Sequence, residues 1–223
     1  MKQFLFVLMG ASILTACTTT KPALKQEVYK NIYEEKPLSV LVMPPINRST
    51  KVEAKEFFYS SLAAPIAQKG YYIMPPVLTM EILKEESAYD AEMFVENSVK
   101  KFGEVFGVDA VLFTTIHDWT KSALASRVTV KIEYMVKSAK TDEVLFHRIG
   151  DVSVNTSMST GTLLGDVVGS LISTALTKEI VVGRQCNLYS LSDLPAGQYD
   201  ALMHGVDGVN SAQPETFSVV LQK

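Results

Sequence analysis

Apolar residues fall along this chain in three rhythms, and each rhythm predicts a different kind of element. Leu38 to Met43 is a short, nearly unbroken apolar run bounded by Pro37 and Pro44-Pro45, the pattern of a strand covered on both faces. Asn47-Arg48-Ser49-Thr50 then turns the chain. Val52 to Gln68 follows with Phe57, Phe58, Leu62 and Ile66 at helical spacing, and Pro65 inside it predicts a kink or a restart. Beyond Gly70, Tyr71 to Met74 reads as a second strand, stopped by Pro75-Pro76. Strand, helix and strand joined this tightly predict a right-handed parallel unit.

Thr79 to Glu86 predicts a short helix, and Asp90 caps a longer one that runs through Phe106 to a stop at Gly107. Ala110 to Ile116 is another buried-strand run. After His117-Asp118-Trp119 the rhythm changes to strict alternation. Val128, Val130, Ile132, Tyr134 and Val136 alternate with Arg127, Thr129, Lys131 and Glu133, which describes a strand with one wet face. Across a turn at Thr141-Asp142, Val144 to Val154 returns as its antiparallel partner. The expected fold class is α/β. It is one mixed sheet in two or three layers over residues 37–200, with a parallel βαβ unit first and an antiparallel hairpin at one edge. Residues 201–223 form a tail to which the pattern assigns no structure.

Gly161, Gly165 and Gly169 are spaced four apart, and Ser173 and Thr177 continue the row through a Leu- and Val-rich segment. Small residues at that spacing let another backbone approach a helix closely, either within the domain or in a homo-oligomer. Asp166 leaves the uncharged stretch that follows far short of the ~20 residues that span a bilayer.

The N-terminus changes the picture most. Lys2 precedes an apolar run from Phe4 to Leu14, followed at once by Leu14-Thr15-Ala16-Cys17, the order of a secretory signal. The last four residues resemble the bacterial lipobox, which implies cleavage after Ala16, removal of residues 1–16 and diacylglycerol on Cys17. Thr18 after the cysteine, by analogy with known bacterial lipoproteins, implies forwarding to the outer membrane. Residues 17–36 are polar and weakly patterned and read as a tether with a helical turn near Leu24 to Tyr29. A flexible segment of ~20 residues reaches on the order of 25 Å. With Cys17 acylated, Cys186 is the only thiol left, so stability rests on packing unless Cys186 bridges two subunits.

Composition adds mainly exclusions. With 47% hydrophobic residues and 21 basic against 24 acidic side chains, the 223-residue chain is globular. It carries no basic cluster of the kind nucleic-acid binding needs. No phosphate loop, dinucleotide fingerprint or nucleophile elbow is present, and His117, His147 and His204 stand alone in sequence, so neither a metal nor an organic cofactor is expected. His117-Asp118 is the one pair that suggests acid/base chemistry, and beside Trp119 it reads as a polar turn.

Three blocks carry a family resemblance: Val40-Leu41-Val42-Met43-Pro44-Pro45-Ile46-Asn47-Arg48-Ser49-Thr50, Gly70-Tyr71-Tyr72-Ile73-Met74-Pro75, and Phe106-Gly107-Val108-Asp109-Ala110-Val111-Leu112 with Trp119 after it. From about Leu38 to Tyr199 the chain resembles the GNA lipoprotein family of Gram-negative bacteria. The resemblance implies an α/β fold similar to the N-terminal domain of TolB and to the periplasmic region of CsgG. It also implies the company of other envelope lipoproteins, including a CsgG-like one, and it supplies no catalytic residues. The expected function is a non-enzymatic assembly or accessory subunit of an envelope export complex, on the periplasmic face of the outer membrane. The alternative is a periplasmic small-molecule or glycan module using Asn47, Arg48, Ser49 and Thr50, because loops at the carboxyl ends of parallel strands are where open sheets bind ligands.

Overall fold

The structure is a computed structural model and describes residues 22–122, 124, 127–155 and 171–221. Two short helices, α1 (Lys25–Val28) and α2 (Lys30–Glu35), come first. β1 (Ser39–Val42), α3 (Ala54–Gln68) and β3 (Tyr72–Ile73) then make the expected parallel unit, with Ser39 opposite Tyr72. Between them β2 (Ile46–Asn47) resumes the strand interrupted by Pro44-Pro45, and both β1 and β2 pair in parallel with β4 (Ala110–Ser122). Asp109, just before β4, holds that junction. Its carboxylate accepts the Leu38 and Ser39 N–H groups at 3.0 and 3.2 Å and meets Lys140 Nζ at 2.8 Å.

β5 (Arg127–Ser138) and β6 (Val144–Asn155) continue the sheet antiparallel to β4 and to each other. After α7 (Leu171–Ser190), β7 (Thr216–Leu221) joins β6 in parallel, giving the order β3-β1-β4-β5-β6-β7. The hairpin therefore lies inside the sheet, and the tail expectation for residues 201–223 gives way to an edge strand. The reason is local. A Cβ at Gly150 would fall 2.3 Å from the Phe217 carbonyl oxygen, so only glycine lets β7 seat there. The Phe217 ring lies under the fully buried Arg148, whose guanidinium carbon is 4.4 Å from the ring centroid. Arg148 also donates to the Ser190 carbonyl at 2.8 Å, drawing on the negative end of α7.

Alternation along β1 and β4 serves two cores. Val40, Val42, Leu112 and Ile116 pack with Phe58, Leu62 and Ile66 of α3 and with Val182 and Cys186 of α7. Leu41, Met43, Val111 and Phe113 face the other way, onto Leu83 of α4 (Pro76–Glu85), Phe102 of α6 (Lys100–Phe106) and Val99 just before α6. The parallel half is thus three layers deep. α3 and α7 meet closely at Gly183, where a Cβ would come 3.0 Å from the Phe57 carbonyl oxygen. Asn187 stitches the same contact, accepting from Tyr134 Oη at 2.6 Å and donating to the Phe58 carbonyl at 3.0 Å.

Three further expectations change. α3 runs through the buried Pro65 without a break, its packing outweighing the lost amide bond. The single helix from Asp90 to Phe106 is instead two, α5 (Glu92–Val95) and α6. Lys137 Nζ reaches the Val95 and Asn97 carbonyls at 3.3 and 2.6 Å, and the Asp142 carboxylate accepts the Val99 N–H at 2.7 Å, so side chains from β5 and its turn cap both new ends. Finally, the segment read as tether is folded onto the domain from Leu24 onward.

Candidate functional site

The folded N-terminal arm is held by a cluster that the chain brings together from both of its ends. Lys25, Tyr29 and Tyr33 recur four apart and face Asp193, in the 3₁₀ turn Leu191–Asp193, and Asp207, at the start of the turn Asp207–Val209. Tyr29 Oη donates to Asp193 at 2.7 Å and Tyr33 Oη to Asp207 at 2.9 Å. Lys25 Nζ lies 3.4 Å from Asp193 and 3.7 Å from Asp207, and all three are buried. The remaining acceptor capacity goes to the Gln213 and Ala196 amides, each at 2.9 Å. Burial, and then the bond and charge of the facing aspartate, push both tyrosine hydroxyls well above their ordinary range. Leu24 pairs with Ser211, and Lys25 N–H donates to the Asn210 carbonyl at 2.9 Å. The sequence carries a signal for this in the Lys25-Tyr29-Tyr33 spacing.

A second cluster lies on the wet face of the antiparallel strands. A β-bulge between Ile116 and Asp118 sets both His117 and Asp118 outward while returning Trp119 to the core, against Phe57 and Phe58 at centroid distances of 6.1 and 6.4 Å. His117 Nε2 is then 2.6 Å from one Glu133 oxygen and His147 Nε2 is 2.8 Å from the other. His147 Nδ1 lies 2.5 Å from Glu215, just before β7. Burial raises Glu133, but the two imidazoles outweigh it and hold the carboxyl below its ordinary value. Burial likewise works against charging His147, and Glu133 with Glu215 outweighs it, so its pKa is raised. Residues that stand alone in sequence meet here through strand register, which no local motif encodes. Among the described residues, no group of three or more His, Cys, Asp or Glu is arranged to hold a metal ion.

Beside this cluster, a hollow of about 60 Å³ is lined by Arg48, Glu96, Thr115, Glu133 and Met135. It has room for a few waters, against the ~300 Å³ or more of a typical ligand site. In the loop singled out for ligand binding, Asn47 and Ser49 are occupied with one another. Asn47 Nδ2 donates to the Lys51 carbonyl at 2.7 Å, and Ser49 Oγ donates to Asn47 Oδ1 at 2.7 Å. Arg48 and Thr50 are exposed, and of the four only Arg48 lines the hollow. Cys186 is fully buried among core residues and burial pushes its thiol up, which removes it from inter-subunit bridging. Cys17 and the Gly161, Gly165 and Gly169 row lie outside the described residues.

The arm and the sheet define an α/β domain with its N-terminal arm packed against it. A family model described as "Putative lipoprotein GNA1162-like" matches residues 28–198, and the chain belongs to that family of membrane-anchored envelope lipoproteins. It is 28% identical over 175 residues to the "Putative lipoprotein NMB1124/NMB1162" of Neisseria meningitidis serogroup B, covering 78% of this chain and 80% of that one. Among solved structures it is similar to lipoprotein GNA1162 from Neisseria meningitidis, with 25% identity, TM-score 0.48, and coverage of 68% of this chain and 99% of the other. It is also similar to the PelC dodecamer from Paraburkholderia phytofirmans, with 12% identity, TM-score 0.44, and coverage of 78% and 93%. Neither superposition reaches a TM-score of 0.5, and the fold described above rests on this chain's own strands and helices.

Proposed function

We propose that the chain is an accessory subunit of an outer-membrane assembly, acylated at Cys17 and held in a set orientation on the periplasmic face. The observation that carries this reading is the buried Lys25–Asp193–Asp207 cluster with its two tyrosines. It leaves only residues 18–22 between Cys17 and the bonded Ala23, which at ~3.5 Å per residue is about 21 Å of chain even at full stretch. A binding module that samples solvent for small molecules gains nothing from such mounting, whereas a subunit that must present one face to a neighbour does. The self-closed Asn47–Thr50 loop and the small hollow weigh the same way.

α4 exposes Val77, Leu78 and Ile82 close to the exposed Tyr72 of edge strand β3, and we assign the partner contact to this edge. The partner that the family resemblance suggests is a CsgG-like lipoprotein. A photo-crosslinking residue placed at Val77 or Leu78 of the membrane-borne protein should yield one discrete adduct with another envelope lipoprotein. Cys17→Ser should leave the precursor unprocessed and abolish both membrane retention and that adduct. A mature wild-type protein that still begins upstream of Cys17, or crosslinks at α4 only to solvent, removes the proposal.

A further inference from the structure

The segment between Tyr199 and Val209 is built inside out. Tyr199, Leu202, Val206 and Val209 are 66%, 85%, 55% and 67% exposed, and Met203 is exposed beside them. Its acids are engaged within the fold. Asp207 is buried in the arm cluster, and Asp200 Oδ1 accepts the Leu202 and Met203 N–H groups at 3.1 Å each. Lys and Arg are absent from this stretch. Ordinary surface loops show the reverse pattern, and a cluster of exposed large apolar side chains marks a surface that meets something apolar.

Position says what that is. Asn210, Ser211 and Ala212 are bonded to Ala23, Leu24 and Lys25, where the chain leaves the domain towards Cys17. A Cβ at Gly208 would lie 3.1 Å from Gln26 Cβ, so the loop packs directly against the arm. With only residues 18–22 in between, the exit point at Ala23 lies within about 21 Å of the acylated cysteine at ~3.5 Å per residue. We propose that the Tyr199–Val209 loop is a second membrane contact, its apolar side chains seated at the headgroup–acyl boundary beside the lipid anchor. This rests on acylation of Cys17, and it explains how a lipidated domain keeps one face towards the bilayer. Interfacial elements bury apolar side chains some ~5–10 Å into that boundary, with aromatic residues such as Tyr199 at headgroup level.

The test uses the full-length acylated protein reconstituted into phosphatidylethanolamine and phosphatidylglycerol vesicles. Cys17 is blocked by its lipid and Cys186 is buried, so Leu202→Cys, Val206→Cys or Val77→Cys can each carry one nitrobenzoxadiazole label. Labels at 202 and 206 should shift to the blue and lose most of their emission to nitroxide-bearing lipid, and the label at 77 should do neither. Leu202→Asp should leave flotation intact while releasing the 206 label from quenching. The proposal is overturned if labels at 202 and 206 match the label at 77 in vesicles that float. It is equally overturned if they are shielded without lipid in a concentration-dependent way, which assigns the loop to a second copy. The mass of the N-terminal peptide checks acylation separately, so a failed anchor and a failed contact give different results.

Discussion

The arm cluster and the wet-face cluster contain the same chemistry, acids facing bases, and differ in depth. Around Asp193 and Asp207 all four carboxylate oxygens have a partner within the fold, and Lys25 bridges the two. Around Glu133 both oxygens are also engaged, but by imidazoles about a quarter exposed, and the outer partner Glu215 has a side chain that is 64% exposed. Burial makes the first a mount whose members cannot be separated without stranding a charge. Exposure makes the second a clasp whose strength follows solution pH. The depth, rather than the residue types, decides which cluster fixes the arm to the domain.

The strongest way to break that contrast is Asp193→Ala. It leaves Lys25 with one carboxylate and strands the Tyr29 hydroxyl and the Gln213 amide in the interior. Removing one member of a buried ionic set costs about 3–5 kcal/mol. At ~2–4 °C per kcal/mol for a chain of this size, Tm should fall by roughly 10 °C. Amide exchange across residues 24–35 should lose its protection with it. A change of only a degree or two, with the arm still protected, would mean that apolar packing alone holds the arm and that no mount exists.

A finer cut separates the two tyrosines. Tyr29→Phe keeps the ring contact with Phe146, at a centroid distance of 5.2 Å, and removes only the bond to Asp193. Hydrogen bonds to charged groups contribute ~1.5–3 kcal/mol, and Tyr29 is the more buried of the pair, so its loss should exceed that of Tyr33→Phe. Equal effects in thermal melts would show that depth does not set the strength of these bonds.

Much of the fold is legible from period alone. The strands around Leu41, Val111 and Ile132 carry the two-sided or alternating patterns that place them in the sheet, and short connections dictate the parallel start. What sequence could not show depends on partners distant along the chain. The helix break after Val95 exists because Lys137 and Asp142 arrive from β5 and its turn. β7 exists as an edge strand because Gly150 has no side chain. The arm looks like a tether because Lys25, Tyr29 and Tyr33 find their acids only after the chain has doubled back near its C-terminus. The wet-face cluster was hidden for the same reason, since a bulge and two strand registers are needed to bring His117 and His147 to one carboxylate.

The smallest expected effect is the pH response of that clasp, and its sign follows from the two shifts. His147 is raised by its carboxylate partners despite burial, so its stabilisation is complete below the ordinary imidazole value of about 6.5 and is lost as pH rises through the raised one. Glu133 is held below its ordinary value, so its stabilisation is complete above about 4.3 and is lost as pH falls through the lowered one. Both are present together only between roughly pH 4.5 and 6.5, where this contribution to Tm should peak. Partly exposed pairs contribute up to ~1 kcal/mol, so the alkaline decline to pH 9 should be about 2–4 °C. His147→Gln should flatten that decline and leave the acid limb in place, because Glu133 keeps His117. A wild-type Tm that stays level from pH 6 to pH 9 would show that the wet face is no clasp.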